Sequence, residues 1–232
     1  MGTQESSIPD NEETKQLLQR YHVEHAHNLV YSFDGLTSLG IDPEFILALL
    51  QVQEDQSTFK QENFSHFRFS VIVDYIRKTH QYYLHKKMLE IEQNIHLLLH
   101  NYPVAHPLLL ILNQFYKDYK EHLRNHIQFE ERELLPYILH LEKVEDGKEK
   151  SENYASSFTL DQFLEQHHDT EEDLRKVSET ILHYSPPSDN ATLYRILVSQ
   201  LQVFEKDLNV HALIEDQVLL PRAIALEKKL GK

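Results

Sequence analysis

Apolar residues recur along this chain at three- and four-residue intervals, the pattern of helices that each turn one face inward. The pattern breaks at Asn101-Tyr102-Pro103, along the charged run from Glu145 to Ser157, and at Ser185-Pro186-Pro187-Ser188-Asp189. Between the breaks lie four long helical stretches, roughly 66–100, 104–142, 156–184 and 189–229. Joined by short to moderate loops, they predict an all-α fold, an up-down-up-down four-helix bundle. The chain before them reads separately, as a helix over roughly 12–32, a turn at Asp34-Gly35 and a second helix opened by Asp42 and Pro43. Asp42 can accept the orphan N–H bonds of that helix's first turn, and Pro43 has no N–H to lose. Phe45, Ala48, Leu49 and Val52 give it an apolar face. Residues 1–62 are therefore assigned to an N-terminal helical appendage and residues 63–232 to the bundle.

Composition narrows the chemistry. Only 5 glycines and 8 prolines occur in 232 residues, in keeping with helices. Lys and Arg total 23 against 37 Asp and Glu, a net charge of −14, which argues against nucleic acid or an anionic membrane as partner. No apolar run reaches the length of a membrane span, and Met1 to Asn11 lacks a hydrophobic signal core, so a cytoplasmic protein is expected. Cysteine is absent, which excludes thiolate nucleophiles, thiolate metal sites and disulfides. Hard chemistry is left to carboxylates and to 16 histidines, more than packing calls for.

An internal repeat concentrates those groups. His126-x-x-x-Glu130-x-x-x-Leu134-Leu135-Pro136 and His211-x-x-x-Glu215-x-x-x-Leu219-Leu220-Pro221 share one pattern. Residues four apart stack on a helix, so each pair aims an imidazole and a carboxylate at one place. His126 shares a stripe with Leu108, Leu112, Phe115, Tyr119 and Tyr137, and His211 follows Phe204 and Leu208. His80 lies among Val73, Ile76, Leu84, Ile91 and Leu98 on the first bundle helix. On the third, periodicity does not choose between His167 and His168. Counting residues from the loops places His80 level with His126, so the helices can present their histidines to one layer.

Four histidines and two glutamates converging inside a bundle predict a dinuclear metal site. Two carboxylates facing each other in an apolar interior resist ionisation unless cations lie between them. Two divalent metals bridged by Glu130 and Glu215 resolve that conflict. Imidazole with carboxylate favours two iron ions, with manganese or zinc as alternatives. The ligand count leaves positions for a solvent-derived oxo or hydroxo bridge and for NO, O₂ or peroxide. Pro136 and Pro221 interrupt helical patterns that continue beyond them, which predicts kinks. Tyr119 and His122, two turns and one turn before His126, are candidates to support the first ligand pair. The cluster His22, His25 and His27 with Glu24 reads as a solvated polar face, and His140 as a surface or interhelix polar residue.

The spacing resembles the hemerythrin-like, HHE cation-binding superfamily, and within it the Repair of Iron Centres di-iron proteins. The likeness spans about residues 70–225. It rests on Tyr75 to His80, on His126-x-x-x-Glu130-Glu131-x-x-Leu-Leu-Pro136, on Leu164-Glu165-Gln-His-His168-Asp169, and on His211-x-x-x-Glu215 through Arg222-Ala223. It implies that His80, His126, His168 and His211 are terminal ligands and that Glu130 and Glu215 bridge. An acid follows the ligand histidine in the family as Asp169 follows His168, which leaves His167 as fallback. The resemblance further implies repair or protection of iron–sulfur clusters under nitrosative or oxidative stress, with iron–sulfur client proteins as partners. Relatives commonly carry a cysteine pair near the N-terminus, and this chain has none. A redox or binding protein is expected rather than a turnover enzyme. Reversible O₂ binding or sensing, and a metal-stabilised helical interaction module, are the competing readings; a homodimer is left open.

Overall fold

The computed structural model describes residues 8–23, 31–101, 107–150, 158–166, 174–175, 179 and 191–231. Their regular structure is helical, with no extended sheet among the described residues, in agreement with the all-α expectation. Three short helices lead: α1 (Glu12–Arg20), α2 (Phe33–Ser38) and α3 (Pro43–Glu54). The bundle follows as α4 (Phe69–Tyr82) and α5 (Met88–Asn101), α6 (Pro107–Phe129) and α7 (Leu135–Glu145), α8 (Leu160–Gln166), then α9 (Ala191–Ile214) and α10 (Leu220–Lys229). Antiparallel order is plain from the packing: α4 lies on α7 and α5 on α6, while α9 returns along α5.

Local chemistry sets the element ends. Asn11 caps α1 by accepting the Thr14 N–H at 2.9 Å, and Asp42 caps α3 by accepting from Glu44 and Phe45, with Pro43 in the first turn as expected. The first helix stops at Arg20 rather than near residue 32, because the chain closes on itself there: Val23 N–H reaches back to Leu18 O. His22 takes φ 57°, the left-handed position that ends many helices and that usually belongs to glycine. Asp34 and Gly35 are helical rather than a turn, since Ser32 caps the Gly35 N–H; the turn falls five residues later, where Gly40 adopts φ 73°. The acidic stretch after residue 142 starts inside α7 and is clamped, with Arg68 holding Asp146 at 2.7 Å and Glu142 at 3.4 Å.

Two apolar clusters fill the interior. One gathers α1 to α3, the start of α4, α7 and α10 around Phe45, Phe64, Phe67 and Tyr75. The other lines α5, α6 and α9 with Tyr83, Met88, Tyr116, Leu201 and Phe204. Where the two meet, the inward positions are polar: His80 falls between Ile76 and Tyr83, Glu130 between Ile127 and Leu134, His211 between Leu208 and Ile214.

The expected proline kinks take a specific form. A π-helical turn, Glu130–Leu134, precedes Pro136, and a second, Glu215–Leu219, precedes Pro221. Proline has no N–H, and its ring would press on the carbonyl four residues back. Widening the turn relieves that contact, and the Glu130 and Glu215 carbonyls instead accept from Leu135 and Leu220, five residues on. A third π turn, Tyr83–Lys87, follows His80 without a proline.

Candidate metal centre

The predicted side chains converge. His80, Glu130, His211 and Glu215 are all buried, and His126 is half-buried at the edge of the layer. His80 Nε2 lies 3.0 Å from Glu130 Oε2, His126 Nε2 lies 2.5 Å from Glu130 Oε1, and His211 Nε2 lies 3.5 Å from Glu215 Oε2. The His80 and His211 rings meet edge to face at 5.1 Å. The donors form two groups, His80/Glu130/His211 and His126/Glu130/Glu215, in each of which the ligating atoms all lie within 4.8 Å of one another. Glu130 belongs to both. His167 and His168 lie outside the described residues.

The stripe read through His126 needs correction. The buried face of α6 runs through Leu109, Leu112, Tyr116, Tyr119, Leu123 and Ile127, while Phe115 is exposed. His126 sits beside that face, which is why it keeps some solvent contact. Tyr119 is buried against Phe204, whereas His122 is exposed. His140 is buried, with Nδ1 2.8 Å from Glu149.

Electrostatics mark this layer as one built around positive charge. Burial alone would lower the His80 pKa, but its hydrogen bonds to Glu130 and Glu131 outweigh that and push it up to about 9. Burial would raise Glu130, yet the His126 and His80 imidazoles hold its carboxyl well below the usual range. Burial and the neighbouring His80 charge drive His211 well below an ordinary histidine. A cationic His80 and a neutral His211 thus face the same carboxylate. His211 Nδ1 is buried with no hydrogen-bond partner among the described residues, a cost that a protein interior rarely carries without a ligand or ordered water. Imidazole nitrogens and anionic oxygens in a dry layer are the donor set of a divalent transition-metal site.

A domain model described as the hemerythrin HHE cation-binding domain matches residues 72–223, which spans this layer and more than half of the chain. The chain belongs to the hemerythrin HHE family. The matched segment contains both His/Glu pairs and His80. Among curated proteins, the chain is 22% identical over 118 residues to the iron-sulfur cluster repair protein ScdA of Staphylococcus epidermidis, covering 51% of this chain and 50% of that protein. It is 25% identical over 114 residues to ScdA of Staphylococcus haemolyticus, covering 49% of each. The chain therefore spans about half the length of the curated relatives it matches. Among the described residues, no helix of this hemerythrin-family chain is long and apolar enough to cross a membrane.

Three features of the hemerythrin layer went unread in the sequence. Glu131 accepts from His80 Nδ1 at 2.9 Å and is held in turn by Arg77 Nε at 3.2 Å. That bond fixes the proton on Nδ1 when the ring is neutral and leaves the Nε2 lone pair facing Glu130. The available signal was the acid directly after Glu130. Tyr83 packs on His211 and Phe204 at 5.9 and 5.1 Å, and burial raises its hydroxyl pKa well above the ordinary value. Arg20, from the appendage, is the third: its guanidinium is buried, pairs with Asp207 one turn before His211, and donates to Thr79 and Tyr75 beside His80.

Proposed function

We propose that this layer holds two iron ions and that the chain works in the repair or protection of iron–sulfur clusters, reacting with NO or reactive oxygen or giving up iron. The observation that carries the dinuclear reading is the sharing of Glu130 between two donor groups, each with its own histidine. On this reading His80 and His211 would hold one ion and His126 the other, with His168, which lies outside the described residues, as the remaining histidine ligand. Glu130 and Glu215 would be the carboxylates shared between them. Iron at this position supplies one-electron redox chemistry and open coordination sites for a small diatomic ligand.

The chain's own residues set the conditions for that chemistry. Glu131 holds the His80 proton on Nδ1 and Arg77 orients Glu131. The two apolar clusters keep water from both sides of the layer, which strengthens every charge interaction inside it. Support for the biological role comes from relatives named for iron–sulfur cluster repair, matched over about half of their length.

The reading is tested on protein purified from iron-supplied cells without affinity-tag metal. Plasma mass spectrometry is expected to find near two irons per chain, and the reduced protein is expected to consume NO or restore activity to a cluster enzyme inactivated by NO. Zinc alone in a folded chain, or iron that does neither, overturns it.

A further inference from the structure

We propose that the cleft between α1 and α4 is a binding site for a small, multiply charged oxyanion, a phosphoryl or polycarboxylate group. It is a cavity of about 520 Å³ on the far side of α4 from the His/Glu layer. Its wall carries three cationic side chains, Arg20, Lys78 and Lys86, and two imidazoles, His22 and His85, around the Tyr82 ring. Among the described residues, no carboxylate lines it. In a chain of net charge −14, so many basic groups facing one space are a local inversion of charge.

The neighbouring interactions show where positive charge is left over. Arg20 is matched by Asp207 from below the cleft floor, and Lys78 by Asp74 at 2.6 Å. Lys86 reaches a neutral amide instead, donating to Gln19 Oε1 at 2.7 Å, with its ammonium 5.6 Å from the Tyr82 ring centre. Arg20 stands 5.3 Å from the same ring. A lysine that among the described residues meets an amide and a ring face, with a second lysine and two imidazoles on the same wall, is placed to donate to anionic oxygens. His22 adds an imidazole at the mouth from a left-handed backbone position that glycine would occupy with less strain. The volume lies in the range of small-metabolite sites, and the mix of cationic tips and one aromatic wall suits a ligand with two or more charges on a compact frame.

Titration calorimetry on the metal-loaded full chain tests the proposal with two probes, inorganic phosphate and tricarballylate, the second a tricarboxylate with no hydroxyl for chelating iron. Saturable binding of at least one probe is expected, with the stronger one identifying the source of the oxyanion. Lys86→Glu and Lys78→Gln should each weaken it by about tenfold or more, the size of one lost charge-assisted hydrogen bond. Asp74→Asn should tighten it, because it frees the Lys78 ammonium. None of these residues belongs to the His/Glu layer, so iron content should not change. No saturable heat with either probe overturns the proposal. So does binding that survives both lysine substitutions in folded protein, which would place the anion at the metals. If Lys86→Glu fails to fold, Lys78→Gln and Asp74→Asn still decide, since their opposite signs are not expected of an incidental surface effect.

Discussion

Glu130 is the residue on which the dinuclear reading turns, because it is common to both donor groups while Glu215 belongs to one. Glu130→Ala should therefore strip nearly all iron, whereas Glu215→Ala removes one of the two shared carboxylates but leaves the His80/Glu130/His211 group whole and should retain about one ion per chain. Metal analysis of the two desalted variants measures this, and equal loss in both would contradict the sharing. Glu131 acts one bond further out. Glu131→Gln removes the carboxylate that holds the His80 proton, and support of this kind is worth roughly 10–100-fold in metal affinity. Competition with a chelator of known affinity should show that loss with the fold intact by circular dichroism. At this scale the sequence was informative only where residue type and spacing coincide. Two carboxylates at helical distance from histidines can be read from a string of letters. Glu131 could not be separated from an ordinary surface acid, and His140 could not be recognised as buried, because each depends on a partner far along the chain or across a turn.

Among the elements, the appendage gives the clearest case of structure that periodicity does not encode. The lengths and breaks of α4 to α7 and of α9 to α10 follow from the apolar pattern, and the caps of α3 follow from Asp42 and Pro43. Nothing in the pattern announces that Arg20, the last residue of a polar-faced helix, enters the bundle to meet Asp207 on α9. Burial would lower the Arg20 pKa, but the Asp207 carboxylate reverses that and raises it. Arg20→Met should destabilise the chain by about 3–5 kcal/mol, because it leaves the Asp207 carboxylate uncompensated in a nearly dry position. The double variant Arg20→Met/Asp207→Leu should recover much of that loss, since two apolar side chains leave no charge without a partner. Urea unfolding at neutral pH measures both. A double variant no more stable than the single one would show that Arg20 acts through Thr79 and Tyr75 instead. The π turns were equally hidden: the prolines signalled a disturbance, but only the geometry shows it absorbed by one widened turn that opens on each glutamate.

For the whole molecule, the polar layer between two apolar clusters makes stability depend on what occupies it. Without metal, the cation between the carboxylates is the His80 imidazolium, whose pKa is pushed up to about 9 from an ordinary 6.5. A group raised in the folded state contributes stability that is fully present below its unfolded pKa and is lost as pH rises through the folded one. Metal-free protein should therefore lose melting temperature progressively between pH 6.5 and pH 9. Glu130 works in the opposite sense: held below its ordinary value, it contributes stability above the unfolded pKa near 4.5 that is lost only as pH falls through the depressed folded value. The metal-free chain should thus be most stable on the mildly acidic side of neutrality. A bound divalent ion takes over the role of the proton, and its affinity rises as His80 gives that proton up. The iron-loaded chain should then show no comparable loss between pH 6.5 and 9, so that the gap in melting temperature between loaded and chelated protein widens with pH. Scanning calorimetry of both forms across that range measures the gap. A gap that narrows instead would mean that metal and the His80 proton do not compete for the same site, and the assignment of His80 to the metal would fall with it.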